Sequence, residues 1–178
     1  CDQQDALADV VPVYVLLSQE GRQDSIRIAS MTAAPALVWL LGKESGRQHV
    51  LPVIMDASKD PAWTVRLSVA THLERMCAAF GPEIMDTDLL QVLVQLTRDR
   101  EEEVRRAAVQ NFVHLEHPLT AERIQQHLLP ELQRLGHDAG DSVRTALAQV
   151  FGPLVTALGG EIAQSDLMGL FFDLLKDE

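Results

Sequence analysis

A chain of 178 residues is one ordinary domain or a short run of repeats, and an apolar content of 47% is ample for a buried core, which excludes disorder. Fifteen Lys and Arg against 26 Asp and Glu leave a net charge of −11, the wrong sign for sequence-independent attraction to nucleic-acid phosphates or anionic lipid. Aromatic residues make up only 4%, and Leu, Ala and Val dominate, so the chain is expected to be nearly all α.

Taken in chain order, apolar residues at helical spacing predict first helices near 5–19, 48–59, 86–98, 122–137 and 164–176. Second helices are predicted near 24–41, 63–80, 102–115 and 141–158. Between 48 and 80, for example, Val50, Leu51, Ile54 and Ala57 mark one apolar face and Val65, Val69, Leu73, Met76 and Phe80 the next, with a polar turn and Pro61 between. Gly81-Pro82 closes its hairpin, Gly suiting the left-handed position past a helix end and Pro stopping continuation; Gly159-Gly160 does the same later. The apolar stretches Val10–Leu17 and Ala33–Leu41 are about half the ~20 residues that span a bilayer, and each contains a proline.

The hairpins are copies of one another. A β-branched residue followed by Arg recurs every 39 residues, at Ile26-Arg27, Val65-Arg66, Val104-Arg105 and Val143-Arg144. Asp60, Asp99, Asp138 and Asp177 keep the same interval, as do Glu44, Glu83, Glu122 and Glu161. Apolar columns agree, for instance Ile54, Leu93, Leu132 and Phe171. One hairpin buries one side of itself, so the expected fold is an α-α superhelix, a solenoid of about four and a half 39-residue hairpins in a single array over 1–178. The units are 5–43, 44–82, 83–121, 122–160 and a partial 161–178. A start at Cys1 without a signal peptide reads as a piece of something longer.

Two helices in about 40 residues is the HEAT signature, and the particular motifs resemble a specific family, the scaffolding A subunit (65 kDa regulatory subunit) of protein phosphatase 2A. The carriers are Asp24-Ser25-Ile26-Arg27, Trp63-Thr64-Val65-Arg66, Gly81-Pro82-Glu83-Ile84 with Thr87-Asp88-Leu89, Glu103-Val104-Arg105 and Leu128-Leu129-Pro130. They resemble consecutive central repeats of that scaffold, in order and along essentially the whole chain. Glu116-His117-Pro118 and Gly21 depart from the pattern. The resemblance implies a non-enzymatic regulatory subunit that docks catalytic and B-type regulatory subunits on the turns inside each repeat. It also implies a cytoplasmic location, with nuclear and cytoskeletal association left open.

The repeated charges read as structure. Arg27, Arg66, Arg105 and Arg144 open second helices and Asp60, Asp99, Asp138 and Asp177 close first helices, so stacking about 10 Å apart alternates them as a ladder. The turns at 20–25, 59–64, 98–103 and 137–142 form the candidate partner-binding ridge, with Trp63, Pro61, Arg100, Glu101, Glu102 and Asp141 as its candidate contacts. Trp63 either anchors a partner or roofs its own turn over Pro61 and Arg66. Glu101, Glu102 and Glu103 would select basic patches.

No catalytic residue, cofactor or metal site is expected, since nucleophile elbow, phosphate loop and metalloprotease motifs are missing from the sequence. His114 and His117 have ligand spacing but no third partner. Cys1 and Cys77 form no disulfide framework and fit a reducing compartment; Cys77 and Trp39 read as packing. Two other readings stay open: a HEAT adaptor in transport or cytoskeletal assembly, and a HEAT-like DNA glycosylase, against which the net charge argues.

Overall fold

A computed structural model describes residues 3–114, 124–158 and 168–174. Every regular element among them is helical, and no strand occurs. The chain separates into two compact units, Cys1–Val92 and Leu93–Glu178.

In the first unit a helical turn, Gln3–Asp5, runs through a π turn, Ala6–Val10, into α1 (Val11–Leu17). There follow α2 (Asp24–Leu41), α3 (Lys43–His49), α4 (Leu51–Ala57) and α5 (Trp63–Phe80), then Pro82–Ile84 and a second π turn, Met85–Leu89. The long helices α2 and α5 pack on each other, and α3 and α4 cover them both. Met31, Val38, Leu41, Ile54, Val69, Leu73, Met76 and Phe80 form the core, and Pro35 is buried inside α2. The other side of the first hairpin is less covered: Val10, Val13, Val15, Leu16 and Leu17 are all exposed.

In the second unit α7 (Glu102–Gln110) tightens into a 3-10 turn, Asn111–His114, and a π turn, Ile124–Leu128, leads into α8 (Leu129–Gly136). Then come α9 (Asp141–Leu158) and α10 (Met168–Leu174); α6 (Leu90–Thr97) precedes them and carries the boundary between units. Helix α9 packs along α7, while α10 rests on α8 and α9. Val104, Ala108, Phe112, Leu132, Leu135, Val143, Leu147 and Leu154 are buried at the centre. Leu170 sits so closely on Gly136 that its side chain fills the space a Cβ there would take.

The second helices 24–41, 63–80 and 141–158 match their predicted spans, whereas the first helices differ in two ways. Helix α3 starts at Lys43 rather than near 48, because Gly42 at φ 77° turns the chain straight into it; Gly81 at φ 84° does the same before Pro82. The first four of these helices are also interrupted at one phase of the repeat. Three interruptions are the π turns, and the fourth is the break at Val50. Pro12, Pro52 and Pro130 follow three of them, each removing an amide from the helical ladder. The third first helix has Gln91 there and keeps its π turn, so proline is not required. Trp39 is 67% exposed rather than packed: it lies on the outer side of α2, away from the face that carries Val38 and Leu41.

Candidate protein-docking ridge

The turns are built by one device used repeatedly. In three repeats the first helix is followed by an Asp whose side chain accepts the amide two residues on, which folds the chain back for the next helix. Asp60 Oδ1 receives Ala62 N at 2.8 Å, Asp99 Oδ1 receives Glu101 N at 2.9 Å and Asp138 Oδ1 receives Gly140 N at 2.9 Å. The Arg six residues after each Asp then donates Nη1 to that Asp's carbonyl: Arg66 to Asp60 at 2.7 Å, Arg105 to Asp99 at 2.8 Å and Arg144 to Asp138 at 2.6 Å. Arg and Asp thereby fix one turn from both its side-chain and main-chain ends.

The same Arg also reaches forward. Arg27 Nε and Nη2 grip Asp60 at 2.7 and 2.8 Å, and Arg105 Nε and Nη2 grip Asp138 at 2.8 and 2.7 Å, both across 33 residues from one repeat to the next. These are two-pronged, charge-assisted bonds between largely buried groups, the strong kind. Arg27 has Gly21 where later repeats have Asp, and its Nη1 takes the carbonyls of Glu20 and Arg22 instead, with Nη2 on Asp24. Asp177 lies outside the described residues, as does His117.

A further polar cluster in the second unit has no counterpart among the sequence-predicted residues. Glu131, buried on α8, accepts Arg98 Nε at 2.7 Å and Nη2, Thr97 Oγ1 at 3.0 Å and Arg134 Nε at 3.1 Å. Arg134 Nη2 closes the ring on the carbonyl of Thr97. Burial pushes the Glu131 carboxyl up, but the hydrogen bonds from Arg98, Arg134 and Thr97 outweigh it and hold the group below the usual carboxylate range. Asp138 follows the same rule: burial raises it, while Arg105, the Gly140 amide and Arg134 together bring it lower than an ordinary Asp. The sequence did carry a signal for this cluster, an acidic residue at 131 in a column that holds Val53 and Val92.

The first unit keeps the same place open. Between the end of α1 and α4 lies a cavity of about 510 Å³, lined by Val15, Gln19, Glu20, Val53, Asp56 and Lys59 among others.

The candidate contact residues separate by environment. Trp63 opens α5 and remains 40% exposed, next to the exposed Pro61. Arg100 and Glu101 pair loosely at 3.6 Å on the surface, and Asp141, almost wholly exposed, pairs with Arg144 at 2.6 Å. Glu102 is different from the free acidic group expected of it. Its Oε1 accepts Ser142 Oγ at 2.5 Å and Ser142 N at 3.3 Å, and it packs against Gly140, where a Cβ would lie 2.5 Å from its Cδ. It therefore caps α9.

Cys77 donates to Met85 Sδ at 2.9 Å, and burial pushes its thiol up to about 12, which leaves it protonated and unreactive. Among the described residues no three His, Cys, Asp or Glu side chains converge as a metal site. Nor is any described helix long and apolar enough to cross a membrane.

Within each unit, two-helix repeats joined by an Arg–Asp rung define a helical-repeat protein of the HEAT class. Comparison with known families agrees: the family model described as HEAT repeats matches residues 32–113, and the one described as PPP2R1A-like HEAT repeat matches residues 82–159. No curated protein sequence matches the chain.

Proposed function

We propose that the protein is a non-enzymatic scaffold of a protein phosphatase 2A-like complex, holding catalytic and B-type regulatory subunits on its intra-repeat turns. The likeness of residues 82–159 to the PPP2R1A-like HEAT repeat carries this reading. The turn geometry supports it physically. Buried Arg–Asp bonds hold the turns at Asp60 and Asp138 in place, so a partner would meet a preformed surface and spend little ordering entropy on it. In this reading Trp63, Pro61, Arg100, Glu101 and Asp141 face the partner, whereas Arg27, Asp60, Arg66, Asp99, Arg105, Asp138 and Arg144 hold the ridge and touch no partner. Glu102 moves from the contact group to the holding group because its carboxylate is spent on Ser142.

The experiment is capture of purified phosphatase catalytic and B-type regulatory subunits by the 178-residue chain and by Trp63→Ala. Wild-type chain should retain at least one of them. Trp63→Ala should weaken that retention at least about tenfold, the loss expected for an interface-centre Trp, while its melting temperature stays within a degree or two of wild type. A wild-type chain that retains neither subunit contradicts the proposal. A Trp63→Ala chain that melts far lower yet binds equally well shows that Trp63 only roofs its turn.

A further inference from the structure

The two inter-repeat sites on the turn side of the units are copies of one another by sequence phase, and they carry inverted charge. In the second unit Arg98 and Arg134 flank a central carboxylate, Glu131, and Thr97 also donates to it. Shifted back by two repeats, these four positions are Glu20, Asp56, Val53 and Gln19. All four line the 510 Å³ cavity of the first unit. The two cations have become two anions, and the charged group between them has become a valine too short to reach the space the Glu131 carboxylate fills.

We infer that this cavity is a docking pocket for an arginine side chain presented by a protein partner, whose guanidinium takes the central place that Glu131 holds in the second unit. Three observations select that occupant. The first is charge. Neither Glu20 nor Asp56 makes an ion pair or side-chain hydrogen bond, and Asp60 at the pocket's edge is already consumed by Arg27. Lys59 on the rim offsets one of the two free carboxylates, leaving a single negative charge for a single cation to neutralise. The second is shape. Val15, Val53 and Ala57 give the pocket apolar walls along which the stem of a long side chain can lie, with its charged end between the carboxylates. A planar guanidinium can donate to both at once and sheds water more readily than an ammonium, so arginine fits better than lysine. The third is position, since the pocket opens at the turn that begins at Lys59 and leads to Pro61 and Trp63. This inference rests on the docking function proposed above and names the chemistry one turn accepts.

The test is fluorescence anisotropy with the full 178-residue chain and a fluorescein-labelled heptapeptide carrying two arginines, alongside lysine and citrulline versions. The arginine peptide should bind saturably, the lysine peptide more weakly, and the citrulline peptide, which keeps the shape but lacks the charge, at least about tenfold more weakly than arginine. Glu20→Gln with Asp56→Asn should reduce arginine-peptide affinity by a similar factor, and Glu44→Gln, an exposed carboxylate on α3 away from the pocket, should leave it unchanged. Transplanting the second-unit pattern with Glu20→Arg and Val53→Glu should abolish binding without lowering the melting temperature. Should that double variant fail to fold, the surface substitutions Glu20→Gln and Asp56→Asn still decide. Absence of saturable binding, equal affinity for arginine and citrulline, or an equal loss with Glu44→Gln would overturn the inference. Phosphatase subunits that bind while the peptide does not remove the pocket and leave the scaffold reading; the reverse result removes the phosphatase and leaves the pocket.

Discussion

The Arg105–Asp138 rung and the Glu131 cluster lie in the same unit and have nearly the same chemistry, guanidinium on carboxylate, yet they differ in which partner is buried. At the rung both groups are largely covered, Asp138 most of all, and each also holds main-chain groups of a turn. Of the charged groups at the cluster only Glu131 is buried, while Arg98 and Arg134 reach out to water, Arg98 with 61% of its side chain exposed. Removing a cation from the rung strands a buried anion. Removing the anion from the cluster releases two arginines that water can solvate. The number of hydrogen bonds in a site therefore says little about its worth; what is left behind when one partner goes says more.

The sharpest way to break the comparison is at the rung. Arg105→Ala should destabilise the chain by about 3 kcal/mol, toward the low end for a broken buried pair because Arg134 and the Gly140 amide still face Asp138. Arg106→Ala, one residue off the column, should change stability by less than about 0.5 kcal/mol. Urea unfolding of both variants measures the contrast, and equal losses would dissolve it. A smaller effect is expected at the cluster. Glu131→Val, which copies the first unit, should shift stability by no more than about 1 kcal/mol, since exchanging a buried ion for an apolar side chain is often near neutral and Thr97 keeps its bond to the Val94 carbonyl. A loss as large as that of Arg105→Ala would show that the cluster holds the unit together as much as the rung does.

Acid should act on both sites, gradually. Glu131 and Asp138 titrate lower in the folded chain than in the unfolded one, where their values are about 4.3 and 3.9. Their stabilisation is complete above that range and is lost as pH falls through the folded values, because the unfolded chain takes up protons first. Unfolding midpoints followed from pH 6 down to pH 2.5 should thus decline most steeply below about pH 4, and Glu131→Gln should flatten part of that decline. A Glu131→Gln profile parallel to wild type would deny the cluster any share in it.

Much of the fold is legible in the sequence because the interval of 39 residues never slips. Arg27, Arg66, Arg105 and Arg144 open their helices in phase, and the second-helix spans follow from that phase and from Gly81-Pro82. The interrupted first helices were harder to read, since a π turn places one extra residue in a helix without changing its composition, and Gln91 shows that no proline need announce it. Trp39 misled because helical spacing identifies a face but not the neighbour that covers it. Of the candidate site, the ladder positions could be read from their columns. The role of Glu102 could not, because it depends on Ser142 forty residues on and on the space left by Gly140. The Glu131 cluster and the open pocket of the first unit came from the same cause: both are departures from the repeat, and a search for agreement passes over them.

A double-mutant cycle on Arg105 and Asp138 tests most directly the claim that buried rungs hold the turns in place. Arg105→Ala, Asp138→Ala and the double variant are unfolded in urea beside wild type, and the coupling energy is taken from the four stabilities. A coupling of about 2 kcal/mol or more, with the double variant little worse than either single one, is the predicted result. Additive losses with a coupling near zero would show that the two side chains do not act on one another, and the turns would then owe their order to something other than the ladder.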